Sequence, residues 1–167
     1  YVKWGKYEVW LNLHTKQGIV KKDGVLISKS KKQTYLNKAW GYWINDSFWL
    51  NPIAKFYDEG VSRTLVNYKG DTALNISYSK GGLTPGDSYL WFTDKNGLPK
   101  SWKLWVSIIP IKGVSFSWED WRTTDSGVLI ATKHNNPLIN VNIKNVRADT
   151  SITNLFGTID PFSPLIN

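Results

Sequence analysis

Alternation of apolar and polar residues dominates the chain and predicts mainly β-structure. Near the start, Tyr7, Val9, Leu11 and Leu13 share one face of an extended segment, whereas Glu8 lies on the other. Similar short runs, bounded by Gly, Asp or Asn turns, predict strands at 19–22, 25–27, 61–67, 72–78, 87–93, 98–109, 114–118, 127–133 and 138–146. Because consecutive strands with hairpin-length links pair antiparallel, this pattern predicts an antiparallel sheet.

One stretch breaks this period and predicts a helix over residues 31–45. Its apolar residues recur at spacings of one, three and four, which draws a single stripe along a helix. The members of the stripe are Tyr35, Leu36, Ala39, Trp40, Trp43 and Ile44. A separate short segment at 47–50 is expected to end before Pro52, because proline disfavours helical backbone in the residue before it.

The segment 77–110 organises the rest of the predicted sheet. It contains two turns, at 81–87 and at 94–97, and the second carries Asn-Gly, a strong hairpin signal. Within the strand predicted at 98–109, Trp102, Leu104, Val106 and Ile108 share one face, and Trp105 lies on the other. A strand that is apolar on both faces needs cover on both sides.

Together these patterns predict a mainly β fold in which a curved antiparallel sheet forms an incomplete half β-barrel. The helix near residues 31–45 is expected to cover the concave face of this sheet. The competing architecture is a two-sheet sandwich of the sugar-binding kind, with tryptophan on an open face. The two differ in whether Trp40 and Trp43 are covered by residues of the strand that carries Trp102.

Length and composition support one globular domain over residues 1–167, with an irregular tail at about 150–167. The chain has 167 residues, 41% hydrophobic and 20% charged, which is a globular composition. It contains no Cys and no Met, and it begins within a predicted strand. We therefore expect that an N-terminal part is missing, and that this part carried an export signal or a lipid anchor.

The net charge of +8 favours an anionic partner only weakly, because the lysines are scattered rather than grouped in blocks. Nucleic-acid modules pair basic residues with aromatic residues on one exposed face. Here the aromatic residues alternate with aliphatic ones and Arg is scarce, so no nucleic-acid partner is predicted.

No catalytic, metal or cofactor site is predicted either. The sequence lacks a Gly-x-Ser-x-Gly elbow, a phosphate loop and a paired-His motif. Adjacent carboxylates occur at Asp58–Glu59 and at Glu119–Asp120, but neighbouring residues on a strand point to opposite faces. Neither doublet therefore makes the acid–base pair of a glycoside hydrolase, and the chain is predicted not to be an enzyme.

Four sequence strings in a fixed order resemble a family of envelope proteins from Gram-negative bacteria. They are NDSFWLNP at 45–52, GLTPGDSYLW at 82–91, NGLP at 96–99 followed by Trp102, and WEDW at 118–121. That family is similar to the periplasmic lipoprotein-carrier superfamily (LolA/LolB-like). The resemblance spans roughly residues 1–135 and implies a curved incomplete barrel, a hydrophobic cavity and export to the periplasm or outer membrane, as for a lipoprotein.

Ten tryptophans make an aromatic ligand wall the main candidate site, and packing of these rings in the core is the alternative. The residues predicted to line it are Trp40, Trp43, Phe48 and Trp49 from the helical region, and Trp91, Trp102, Leu104 and Val106 from the sheet. The predicted function is non-enzymatic binding of a hydrophobic ligand, either a lipid or an acylated polypeptide, or of a partner subunit of a larger envelope complex. The alternative is a carbohydrate-binding envelope module that uses exposed Trp with Asn45 and Asp46. A cavity filled by side chains would leave only docking of a partner.

Overall fold

The mainly β fold with one long helix is confirmed by a computed structural model, which describes residues 1–81 and 85–165. Strands hold 39% of the residues and helices 21%. The strands form three antiparallel sheets. These sheets are not strongly curled, and the described strands form no closed barrel. Three separate sheets therefore replace the single curved sheet that the sequence predicted.

Contacts within the chain divide it into two compact units. The first unit comprises Tyr1–Ser47 and the segment from Arg147 on, and the second unit comprises Phe48–Val146. The boundary falls inside the long helix, between Ser47 and Phe48. That the whole chain makes one domain stays a prediction.

The first unit contains a four-stranded sheet and most of the long helix. In chain order its elements are β1 (Val2–Trp4), β2 (Tyr7–Leu11), β3 (Gly18–Lys22), β4 (Val25–Leu26) and α1 (Lys29–Leu50). Neighbouring strands pair in the order β1-β2-β3-β4. Leu36 and Ala39 of α1 are buried against Val9, Leu11 and Val20 of the sheet. This small aliphatic core explains the stripe that predicted the helix.

Helix α1 is longer than the sequence pattern predicted. It begins at Lys29 and runs without a break through Leu50. The predicted separate segment at 47–50 is its last turn, where Ser47 Oγ donates a hydrogen bond of 2.9 Å to the carbonyl of Ile44. Such a bond to the preceding turn satisfies the hydroxyl inside a helix, so Ser47 does not end it.

Strands β2 and β3 approach each other closely at Gly18. A Cβ atom at this position would lie 1.9 Å from the carbonyl oxygen of Trp10 and 3.0 Å from Cδ2 of Leu36. Only glycine therefore fits between the neighbouring strand and the helix.

The C-terminal segment of the first unit is less irregular than predicted. It contains α2 (Ile152–Phe156) and a short 3-10 helix (Ser163–Leu165). The indole Nε1 of Trp10 donates a hydrogen bond of 2.7 Å to the carbonyl of Pro161. This bond ties the end of the chain to strand β2.

The second unit contains two sheets. Its five-stranded sheet consists of β5 (Val61–Tyr68), β6 (Asp71–Tyr78), β7 (Ser88–Thr93), β8 (Pro99–Trp105) and β9 (Val114–Ser117), in chain order. Its three-stranded sheet consists of β10 (Glu119–Thr123), β11 (Leu129–Asn135) and β12 (Asn140–Asn142). A 3-10 helix (Pro52–Lys55) precedes them. The predicted turn at 94–97 links β7 to β8, whereas residues 82–84 of the predicted turn at 81–87 lie outside the described residues.

Two strands are clearly shorter than predicted. Strand β8 ends at Trp105 rather than at residue 109, because its pairing with β7 and β9 stops there, at Ser88 and at Val114. The turn closes where Gly113 N donates to the carbonyl of Leu104 at 2.8 Å. The strand predicted at 138–146 is reduced to β12, after a turn that contains Pro137.

Candidate functional site

Four residues of the predicted ligand wall lie in the core of the second unit. Trp91 and Trp102 are direct cross-strand partners on β7 and β8, and Leu104 follows on the same face. Val106, just after β8, joins the same buried cluster. Only 1% of the Trp102 surface is exposed, and the other three are also buried. The sequence grouped these residues correctly, but the structure buries them.

Aromatic rings surround Trp102. Its ring centroid lies 4.8 Å from that of Trp91, 5.0 Å from Trp118, 5.1 Å from Tyr89 and 5.3 Å from Trp49. We call these five rings the tryptophan cluster. A ligand can contact Trp102 only if one of the other four rings moves away.

Phe48 and Trp49 come from the last turn of α1 and are half-buried. Trp49 is a member of this cluster, and Phe48 packs against it. The ring of Phe48 lies 5.5 Å from both Tyr78 and Tyr89, and that of Trp49 lies 5.0 Å from Phe116. Six of the eight predicted site residues therefore belong to one cluster, together with its partly buried neighbours.

The other two predicted residues, Trp40 and Trp43, belong to the first unit and are half-buried there. Trp40 packs against the aliphatic core around Val9 and Leu36. The ammonium of Lys16 lies 3.8 Å from the centroid of its ring, in a cation–π contact. The expectation that residues of the Trp102 strand cover Trp40 is therefore corrected, because its packing partners come from β2, β3 and α1.

Four buried polar atoms near the tryptophan cluster have no hydrogen-bond partner among the described residues. They are the hydroxyl of Tyr78 and the indole nitrogens of Trp91, Trp102 and Trp118. The rings of Trp102 and Trp118 meet edge to face, at an interplanar angle of 88°. Burial raises the pKa of the Tyr78 hydroxyl above its ordinary value, so this group stays neutral.

No pattern in the sequence indicated the role of His134, which the structure buries completely. Its Nε2 lies 2.9 Å from the carbonyl oxygen of Trp49, and its Nδ1 lies 3.2 Å from that of Ser117. The imidazole therefore links the end of α1 to β9. Burial lowers the pKa of His134 below its ordinary value, and the two carbonyl acceptors oppose that shift only in part. A neutral ring donates to only one of the two carbonyls.

Two neighbouring loops of the second unit expose aliphatic side chains. Ile108 and Ile111, in the β8–β9 loop, are 68% and 62% exposed, and Leu138 and Ile139, in the β11–β12 turn, are 83% and 59% exposed. The β11–β12 turn is attached to strand β9, just after the β8–β9 loop, where Asn136 Nδ2 donates to the carbonyl of Ser115 at 2.7 Å. We call these four aliphatic residues the apolar end patch.

Hydrogen bonds hold the β8–β9 loop in place. Ser107 N donates to Asp87 Oδ1 at 3.0 Å, and Lys112 Nζ donates to the carbonyl of Val106 at 3.0 Å. The sequence pattern placed Ile108 on the same face of a long strand as Trp102. The early end of β8 changes this alternation, so that Ile108 is exposed and Ile109 packs on the buried cluster.

The opposite face of the five-stranded sheet carries a second, smaller aromatic group. Tyr68 and Trp105 are half-buried, with ring centroids 6.3 Å apart, and they pack over the buried residues Ala73, Leu90 and Phe92. By strand alternation, this face also carries the half-buried polar residues Asn75, Ser77, Ser88, Ser101 and Lys103. We call it the outer face.

The carboxylate doublets make structural contacts. Glu59 forms an ion pair of 2.7 Å with Lys80. Asp120 accepts hydrogen bonds from Thr132 and Arg122, and these bonds hold the pKa of its carboxyl below the ordinary value. A carboxylate held ionised in this way cannot act as a general acid near neutral pH. That the chain is not an enzyme stays a prediction.

Comparison with known proteins gives no match: no protein-family model, curated protein or solved structure matches the chain. The resemblance to lipoprotein carriers therefore stays a prediction from the sequence. Over residues 1–81 and 85–165, no helix has the length and apolar character needed to cross a membrane. The same residues contain no group of three or more His, Cys, Asp or Glu side chains that could hold a metal ion.

Proposed function

We propose that this chain is a non-enzymatic binding protein that receives an apolar acyl chain, from a lipid or an acylated polypeptide, on the apolar end patch. The observation that carries the proposal is the exposure of four aliphatic side chains on two loops, one of which precedes strand β9 while the other is hydrogen-bonded to it. Exposed apolar surface of this kind commonly marks a binding site.

Side chains fill the tryptophan cluster, so we do not propose binding inside a cavity as the sequence predicted. The proposal moves to the surface, because a ligand reaches the end patch without displacing side chains. Ile108 and Ile111 are exposed, whereas Trp102 is enclosed by four rings. The loop that carries the isoleucines is anchored through Asp87 and Lys112, so its surface is preorganised. Preorganisation lowers the entropic cost of binding.

The energetics of acyl binding suit an open patch. Each methylene group removed from water contributes about 0.8 kcal/mol. Partial cover of an acyl chain on four aliphatic side chains therefore gives reversible binding, as a protein that passes on its ligand requires. The resemblance to envelope proteins favours the periplasm or outer membrane as the location of such a partner.

Binding of a fluorescent palmitoylated peptide, measured by fluorescence anisotropy, tests the proposal. The same peptide without its acyl group is the ligand control. We expect Ile111→Asp combined with Leu138→Asp to weaken binding of the acylated peptide at least about tenfold, because charges then face the acyl chain. Val128→Asp is the protein control, since Val128 is an exposed aliphatic residue at the other end of β11. Unchanged binding by the double variant would contradict the proposal.

The outer face supports a second candidate function, carbohydrate binding. Two half-buried rings, Tyr68 and Trp105, lie there among hydroxyl and amide side chains. Sugars stack their apolar faces on such rings and hydrogen-bond to polar neighbours. Affinity electrophoresis in gels that contain a polysaccharide separates the two candidates. Retardation that Trp105→Ala abolishes, together with no affinity for the palmitoylated peptide, would favour the carbohydrate.

A further inference from the structure

A hairpin of the first unit combines an exposed apolar tip with lysines. Strands β3 and β4 are joined through Asp23 and Gly24, whose φ angles of 50° and 80° are those of a tight hairpin turn. The residues that follow, Val25 and Leu26, are 70% and 67% exposed. The next apolar residue, Ile27, packs against the aliphatic core. We call residues 21–26 the basic hairpin.

Lysines flank this tip on several sides. Lys22 is the cross-strand partner of Val25, and Lys21 is the partner of Leu26. The backbone of Lys6 accepts a hydrogen bond of 2.9 Å from Asp23 N, which places another lysine beside the turn. Between Glu8 and Asp46 the sequence contains seven lysines and a single acidic residue, Asp23.

Helix α1 begins shortly after the hairpin and adds positive charge. Its first turn contains no acidic residue, and Lys29 and Lys31 are exposed there. The N-terminal end of a helix carries a partial positive charge of its own. Lysines at this end repel that charge, and an anionic surface would relieve the repulsion.

Aromatic residues lie next to the lysines. Tyr7 is the cross-strand partner of Lys22, whose ammonium lies 5.7 Å from the centroid of the Tyr7 ring. The ring of Tyr7 stacks on Tyr35 at 4.5 Å and on Trp4 at 5.6 Å. All three rings are half-buried. Tyr and Trp rings with an apolar body and a polar edge are enriched at the boundary between lipid and water.

These features fit an anionic bilayer better than a nucleic acid. Single-stranded nucleic acids stack their bases on free aromatic faces, whereas Tyr7 already stacks against a ring on each side. A nucleic acid also makes no use of two exposed aliphatic side chains. A bilayer takes up both kinds of group, because its acyl region accepts the aliphatic tip and its phosphates pair with lysines.

We infer that the basic hairpin, with the start of α1, docks this protein onto an anionic lipid bilayer: Val25 and Leu26 enter the headgroup region, and Lys22, Lys29 and Lys31 pair with lipid phosphates. None of these residues belongs to the apolar end patch, so the two surfaces can be tested separately. The docking surface is formed by folded strands and a helix start.

Flotation of the 167-residue chain with vesicles tests the inference. The vesicles contain phosphatidylcholine with or without phosphatidylglycerol. We expect binding only when phosphatidylglycerol is present, and we expect it to fall with added salt, which screens the lysines. Replacing Lys29 and Lys31 by Gln should weaken binding about fivefold for each lysine replaced. Combining Val25→Asp with Leu26→Asp should weaken it at least about tenfold.

Leu13→Asp is the matched control, because Leu13 is an exposed aliphatic residue in the turn at the other end of β3. This variant should bind vesicles like the unchanged protein, and circular dichroism should show that all variants keep their fold. Equal binding to both kinds of vesicle would overturn the inference, as would no binding at all. Binding that survives both Asp substitutions, or binding to a single-stranded oligonucleotide but not to vesicles, would overturn it too.

Discussion

The two units of this chain use aromatic residues in opposite ways. Among its described residues, the first unit fully buries only aliphatic side chains, and its tryptophans lie half-buried at the edge of that core. Lysine ammonium groups lie over several of these rings, as Lys16 does over Trp40. The second unit buries Trp91, Trp102 and Trp118 completely, in contact with one another.

This difference shows that tryptophan content alone does not identify a ligand wall. In the second unit the indole rings fill volume, and three of their nitrogens are left without a hydrogen-bond partner among the described residues. In the first unit the indole of Trp10 reaches a backbone carbonyl. The end patch in the second unit and the basic hairpin in the first unit instead expose aliphatic side chains.

The largest expected effect is in the second unit, where Trp102→Ala removes the ring at the centre of the tryptophan cluster. We expect the free energy of unfolding to fall by about 4 kcal/mol, because the substitution leaves a large cavity. Urea denaturation followed by far-ultraviolet circular dichroism measures this loss. Trp105→Ala is the control. Because Trp105 is half-buried on the outer face, this substitution should lower the free energy of unfolding by clearly less. Equal losses would remove the distinction between buried and half-buried tryptophan.

A smaller effect is expected in the first unit from Leu36→Ala. Leu36 is buried between α1 and the four-stranded sheet, and we expect a loss of about 3 kcal/mol. Its exposed neighbour Thr34 provides the control, because Thr34→Ala should change stability by less than about 0.5 kcal/mol. The same denaturation experiment measures both variants. If the two variants behaved alike, the aliphatic core would not be what holds α1 to the sheet.

The smallest effect concerns pH and is confined to the second unit. Burial lowers the pKa of His134, so below the ordinary value of 6.5 the unfolded chain binds a proton that the folded chain does not. The contribution of His134 to the free energy of unfolding is therefore fully present above pH 6.5 and is lost as the pH falls toward the lowered pKa. The free energy of unfolding should fall by up to about 1.4 kcal/mol per pH unit in this range.

Denaturation at a series of pH values measures this loss, and His134→Gln is the comparison. Glutamine keeps a donor for one of the two carbonyls but does not titrate. We expect the variant to lack this component of the pH dependence. A decline with the same slope in the variant would show that other groups cause it.

Sequence periodicity correctly predicted the elements that residues close together in the sequence determine. The stripe around Leu36 gave the helix, and Asp23-Gly24 and Asn96-Gly97 gave two of the turns. It failed at the ends of elements. Alternation continues through Ile108, but strand β8 ends at Trp105, and only the pairing with neighbouring strands determines that end.

The candidate site shows a similar limit. The grouping of Trp102 and Leu104 with Phe48 and Trp49 was predicted, because these residues fall on apolar faces of neighbouring segments. The same stripe on α1 also carries Trp40, which packs in the first unit. A helix of 22 residues is about 33 Å long, which exceeds the extent of one small core. A stripe therefore shows which face of a helix is apolar but not what that face meets.

The tight contact of Trp91, Trp102 and Trp118 has an optical consequence. Their ring centroids lie 4.8 to 5.0 Å apart, and each pair is held at a fixed angle. Electronic transitions of chromophores this close couple, so excitation spreads over the three indoles instead of staying on one. The folded second unit should therefore show a far-ultraviolet circular dichroism couplet, from the intense transition of indole, that no single tryptophan produces, and this couplet should vanish when the rings separate on unfolding.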